Sequence, residues 1–89
     1  MMYPYMTLGD GTEIVHSHII DQDGVKKVIV HFERAIPDGF EDARCELPTY
    51  HWTERKGFSN DEIAFFTKLL ESNAHLIYRY AESGGVKIA

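Results

Sequence analysis

A single cysteine in 89 residues leaves nothing for an internal disulfide. No covalent staple shapes this fold, and a reducing, cytoplasmic interior is its expected home. Nowhere does an apolar run approach the roughly 20 residues that a membrane helix needs. No early segment joins basic residues to a long apolar stretch either, so neither membrane span nor signal peptide is expected. Basic residues are the minority, nine against fourteen acidic, for a net charge of −5. That balance repels a phosphate backbone and argues against direct nucleic-acid binding. Seven glycines and three prolines are too few for a disordered or fibrous chain.

What is present is an ordinary apolar share of 44%, enough for one domain over residues 1–89 and no second. A chain of this size buries only about 60–65% of the surface its unfolded form exposes. The core must therefore recruit nearly every large apolar residue. Any that stays outside is worth explaining.

Four extended segments can be read along the chain. Tyr3 to Leu8 carries Pro4, which confines it to a sheet edge or strand start, and Gly9-Asp10-Gly11 is a hairpin signal. Thr12 to Ile20 is rich in β-branched residues and ends at the turn Asp21-Gln22-Asp23-Gly24. Val25 to Arg34 is the clearest strand, with Val28, Val30 and Phe32 alternating against Lys27, Ile29, His31 and Glu33. After Pro37-Asp38-Gly39, Asp42 to about Pro48 alternates again, with Ala43, Cys45 and Leu47 on one face. Thr49 to Gly57 reads as a strand extension followed by a loop.

Ser59-Asn60-Asp61-Glu62 has the capping-box pattern, and Phe58 and Ile63 occupy the positions of a hydrophobic staple. The helix should run to about Glu82, stopped by Ser83-Gly84-Gly85. The expected architecture is α+β: a four-stranded antiparallel meander with one C-terminal helix on one face.

At 100° per residue, the apolar residues of this helix span an arc of roughly 180°, wider than the roughly 100° a small sheet requires. Phe66, Leu70 and Ile77 at its centre should meet Val28, Val30, Cys45 and Leu47. The flank of Phe65, Leu69, Leu76 and Tyr80 is surplus. Either Phe40, Phe58 and the aromatic loop fold over it, or it is a binding surface for a protein partner or for a homodimer. Asn73, inside the arc, needs partners for its amide, from a strand-end or loop carbonyl or from a ligand or partner.

Candidate chemistry is sparse. His16 and His18 are spaced i, i+2 on one strand and His31 lies on the next, a set able to share a metal only if the intervening turn puts all three on one face. An even loop would do so; a three-residue bulged loop would place His16 and His18 with Val28 and Val30. Cys45 falls mid-strand on the core face, where a thiol is inert. Asp21-Gln22-Asp23-Gly24 lacks the later ligands of a calcium loop. No phosphate loop, zinc signature or catalytic constellation stands out, so no cofactor and no enzymatic activity are expected. Tyr50 to Lys56 mixes aromatics with positive charge. Trp52 and Arg55 there either anchor a partner or, for Trp52, close the open end of the core. Residues 1–45 carry −4 and residues 46–89 carry −1, an acidic sheet beside a near-neutral helix.

The stretch Cys45-Glu46-Leu47-Pro48, with Gly57-Phe58-Ser59 and Ser72-Asn73-Ala74-His75-Leu76-Ile77, resembles small stand-alone bacterial proteins of unassigned function, of the kind found on mobile elements. The resemblance implies a bacterial cytoplasmic accessory protein and brings no activity with it. Three functions then compete. The first is a non-enzymatic interaction module acting through the helix flank and aromatic loop. The second is a mobile-element inhibitor that sets an acidic surface into a nucleic-acid-handling complex. The third is a metal sensor built on His16, His18 and His31.

Overall fold

The computed structural model of the chain describes residues 2–84. Six strands precede one helix: β1 (Tyr3–Thr7), β2 (Glu13–His16), β3 (Ile20–Gln22), β4 (Val25–Ile36), β5 (Gly39–Leu47), β6 (His51–Lys56) and α1 (Asn60–Ser83). All pairings are antiparallel, in the order β1-β2-β4-β5-β6, with β3 also paired to β4. The α+β class and the C-terminal helix are as expected. The strand count is six and not four, for two physical reasons.

The first is a slip inside the segment Thr12 to Ile20. Ile20 pairs with Lys27, but His16 pairs with Val30. Four steps on one strand are thus matched by three on the other, so the segment between β2 and β3 holds one extra residue, as in a bulge. Ser17 repairs the ladder there. Its N–H donates to the Ile29 carbonyl at 2.9 Å, and its hydroxyl accepts the Ile29 N–H at 3.0 Å. The second is β6, read from sequence mostly as loop. It pairs with β5 through Cys45–Trp52 and Arg44–Glu54, which leaves Thr53 as an extra residue. Within β6 every residue but Trp52 is exposed, so no alternation exists to be seen.

The core lies between one sheet face and the helix. Val28, Val30 and Phe32 of β4, Ala43, Cys45 and Leu47 of β5 and Ile14 of β2 meet Ile63, Phe66, Leu70, Ile77 and Ala81. Phe32 stacks on Phe66 with centroids 4.3 Å apart, and Phe58 meets Phe66 edge-on at 5.2 Å. Such pairs contribute roughly 0.5–1.5 kcal/mol beyond area burial.

Helix α1 begins at a complete capping box. The Ser59 hydroxyl accepts the Glu62 N–H at 3.1 Å, and the Glu62 carboxylate accepts the Ser59 N–H at 3.0 Å. Gly84 closes the far end in a left-handed conformation, its N–H donating to the Tyr80 carbonyl. Gly85, the last residue of the expected stop signal, lies outside the described residues.

Glu62 also belongs to a second network. Arg34, next inward-facing residue of β4 after Phe32, donates to Glu62 at 2.6 Å, to Glu41 of β5 at 2.6 Å and to Asp10 of the β1–β2 turn at 3.0 Å. Its guanidinium sits 4.8 Å from the Phe58 ring centroid. Gly57 makes room for this cluster. Its φ is +89°, and a Cβ there would lie 2.6 Å from the Glu41 Cγ. Gly57→Ala should therefore cost more than about 1 kcal/mol through strain and displacement of Glu41. Denaturant unfolding of the two proteins measures it.

Candidate functional site

Helix α1 buries Ile63, Phe66, Leu70, Ile77 and Ala81 against the sheet, and its two flanks see different neighbours. On the β1 side, Tyr5 covers part of the surplus apolar surface. Its hydroxyl donates to the Asn73 Oδ1, and its ring centroid lies 6.0 Å from that of Tyr80. Asn73 in turn donates to the Leu69 carbonyl at 2.8 Å. The amide thus has partners within the chain, though they are a tyrosine hydroxyl of β1 and a carbonyl of its own helix and not the expected strand-end or loop carbonyl. Of the residues expected to act as covers, Phe58 is buried against Phe66, while Phe40 stays 65% exposed on the β4–β5 hairpin. Strand β1 does the covering, and incompletely. Leu69, Leu76 and Tyr80 are half-buried, and Phe65 is 54% exposed.

Trp52 and Arg55 do not join this flank. They sit on β6, at the opposite end of the strand order from β1. The Trp52 ring lies 5.5 Å from Phe32, and its indole N–H donates to the Thr67 hydroxyl at 3.1 Å. Arg55 donates to Asn60 at 2.6 Å. The reason is helical geometry: Thr67 and Asn60 project from the side of α1 away from Phe65 and Leu76. The expected six-residue surface therefore separates into a flank on the β1 side and a core-closing tryptophan on the β6 side.

The three histidines do not converge. The slip at Ser17 puts His16 opposite Val30 on the helix-facing side, where it is fully buried between Tyr3 and Tyr5, while His31 pairs with Val15 on the outer face. The β3–β4 connection is the two-residue turn Asp23-Gly24, both at positive φ. An even loop alone would have aligned His16 with His31; the extra residue at Ser17 reverses that parity. His18 is exposed in the intervening segment. The His16 Nδ1–H donates to the Ser17 carbonyl at 2.8 Å, which leaves Nε2 without a partner among the described residues. No cluster of three or more His, Cys, Asp or Glu with metal-binding geometry occurs among the described residues.

Cys45 lies on the buried face, and burial, helped by nearby Glu46, pushes its thiol up to about 12. Such a thiol is protonated at neutral pH and is a poor nucleophile. No helix among the described residues is long and apolar enough to cross a membrane.

The flank continues at the helix N-terminus into a groove of about 410 Å3, lined by Leu8, Phe65 and Phe66 and by the carboxylates of Asp10, Asp61 and Glu62. Arg34 and the Ser59 N–H hold Glu62 below its ordinary carboxylate range, and Thr12 then Arg34 do the same for Asp10. The Asp61 side chain, exposed, has no hydrogen bond or ion pair in the chain among the described residues. The sequence reading missed this end of the molecule. One signal was there: Arg34 continues the inward alternation of Val28, Val30 and Phe32, so a charge was bound for the core margin.

No protein family, curated protein or solved structure matches the chain.

The outer sheet face carries its own titration. Burial, then Arg44, lowers the pKa of His31 below its ordinary 6.5. The unfolded chain then binds more protons below that pH, so stability falls as pH drops through 6.5. Asp10 and Glu62, depressed in the folded state, add to the loss below pH 3.8 and 4.5, their unshifted values. Unfolding midpoints at pH 7.5 and 5.5 (both flanking the roughly 6.5 of a free imidazole) should differ less in His31→Gln than in the parent chain.

Proposed function

We propose that the chain is a non-enzymatic protein-interaction module that engages its partner through the β1-side flank of α1, by Phe65, Leu69 and Leu76, with Tyr80 at the inner margin. One observation carries the reading. Phe65 is more than half exposed at the outer edge of the helix's apolar arc, with half-buried Leu69 and Leu76 beside it, in a chain small enough to need its large apolar residues inside. Contiguous apolar surface of this kind marks contact with another molecule. The buried, proton-holding Cys45 and the divided histidines fit a module without catalysis.

Phe65→Glu with Leu76→Glu tests it. Both side chains border solvent on a capped helix, so helical circular dichroism should persist. Association, with itself or with a protein captured from the native host, should weaken by at least about tenfold, the 1.4 kcal/mol that losing one anchor side chain exceeds. Unchanged association would remove the flank from consideration.

A second reading rests on the outer face. Glu13, Glu33 and Asp42 sit directly opposite one another across β2, β4 and β5. Like charges so placed destabilise a sheet. Arg44 and Lys56 offset Asp42 at one end, but Glu13 and Glu33 face each other directly and suit a surface that meets a basic groove, as an inhibitor of a nucleic-acid-handling complex would. Binding by this face should weaken steeply from low to physiological salt. Salt-independent binding would leave the acidic row as solvation only.

A further inference from the structure

Along the exposed flank, Phe65, Leu69, Ser72 and Leu76 follow one another at spacings of four, three and four. That is the seam one helix presents to another, and at 100° per residue the four side chains fall within about 60° of arc. Beside the seam stand charges at both ends, with exposed Lys68 between them on the same edge. Asp61 lies at the N-terminal end and Arg79 near the C-terminal end, both exposed. Eighteen residues separate them, five whole turns and about 27 Å, so they share one edge of the helix. Arg79, like Asp61, makes no ion pair or side-chain hydrogen bond in the chain among the described residues.

We propose that the occupant of this flank is a second copy of the chain, its α1 antiparallel to the first across a two-fold axis level with residue 70. This rests on the reading of the flank as an interaction surface. The pattern is self-complementary, as an isologous contact requires. With the axis at that level, each Asp61 faces the second copy's Arg79, and each Phe65 comes level with the second copy's Leu76. Ser72, small and exposed, stands where the helices approach nearest, beside the second copy's Leu69. The groove explains where Arg79 goes. Leu8 and Phe65 offer apolar wall for its aliphatic stem, and Asp61 receives the guanidinium. A uniformly basic partner would satisfy Asp61 and be repelled by Arg79, and a uniformly acidic one the reverse. Antiparallel copies satisfy both, and they also set opposite ends of the helix dipoles side by side.

The test is the solution mass of the full chain, by light scattering from micromolar to millimolar concentration, for the parent, Asp61→Arg, Arg79→Asp, the double swap and Phe65→Glu. All are first checked for unchanged helical circular dichroism. The parent should pass from monomer to dimer. Each single swap places like charges together at two symmetric positions and should weaken the dimer at least about tenfold. The double swap should recover most of that loss, and Phe65→Glu should abolish the dimer. A parent that stays monomeric at millimolar concentration overturns the second copy as occupant, while the flank remains to be judged by capture of a different protein. A dimer lost in Phe65→Glu but indifferent to the swaps overturns the antiparallel register alone. A dimer that survives Phe65→Glu overturns both the register and the flank.

Discussion

One guanidinium ties the helix to the sheet at the end of the molecule where the flank is exposed. Arg34 leaves β4 on its inward face and meets carboxylates from three separate places: Asp10 in the β1–β2 turn, Glu41 in β5 and Glu62 in the first turn of α1. None of these pairs would contribute much singly at partial exposure. Joined on a single planar fork, they share the entropy cost of ordering one side chain. Glu62 also completes the capping box, so the start of the helix is fixed to the sheet by the same residue that fixes it to its own backbone. Removing Arg34 would leave three carboxylates facing one another over the Phe58 ring. The entry angle of α1, and with it the direction in which Phe65 points, follows from this cluster.

The remaining placement is done by irregularities in the strands. Extra residues occur in β1 between Pro4 and Met6, between β2 and β3 at Ser17 to Ile19, and in β6 at Thr53. Each is or adjoins an aromatic ring on the helix side: Tyr5 is itself the extra residue of β1, and His16 and Trp52 precede the other two. A bulge bends its strand and re-aims the neighbouring side chain. Tyr5 then covers Tyr80 and satisfies Asn73, while Trp52 closes the far side against Phe32 and Phe66. The core is shut at both sides of the helix by rings delivered from outside the regular alternation.

That explains which parts were legible in the sequence. Where side chains obey a single period, as in β4, β5 and α1, the pattern locates the buried face and, for the helix, its caps. It misses the hairpin tip, where Ala35-Ile36 and Gly39 to Glu41 continue β4 and β5 in place of the expected connection. The helix centre of Phe66, Leu70 and Ile77 does meet Val28, Val30, Cys45 and Leu47 in one core. Where one residue is inserted, parity reverses and the pattern misleads. His16 is the sharpest case, since the turn at Asp23-Gly24 taken alone gives the wrong face. The split of the expected surface has a different origin. Phe65 lies on the helix and Trp52 on β6, but which side of the helix β6 and β1 each border is decided by sheet order, which hydrophobic periodicity does not encode.

Sheet order also bears on how the molecule can associate. An open sheet offers two edges, and strand addition at either would be the obvious route to a larger assembly. The two ends of the main strand order are guarded, while the three-residue β3, paired to β4 alone, leaves only a short free side. In β1, Pro4 lacks an N–H and the adjacent bulge breaks the ladder spacing. In β6, Glu54, Arg55 and Lys56 form an exposed charged run, which is a common defence of an edge strand. The helix has no such guard. Its outer flank combines apolar residues at a regular spacing with a small residue between them and opposite charges at its two ends. On the helix, this flank is where apolar side chains lie uncovered; Phe40 and Ile36 at the β4–β5 hairpin are exposed too, but without a regular spacing or flanking opposite charges.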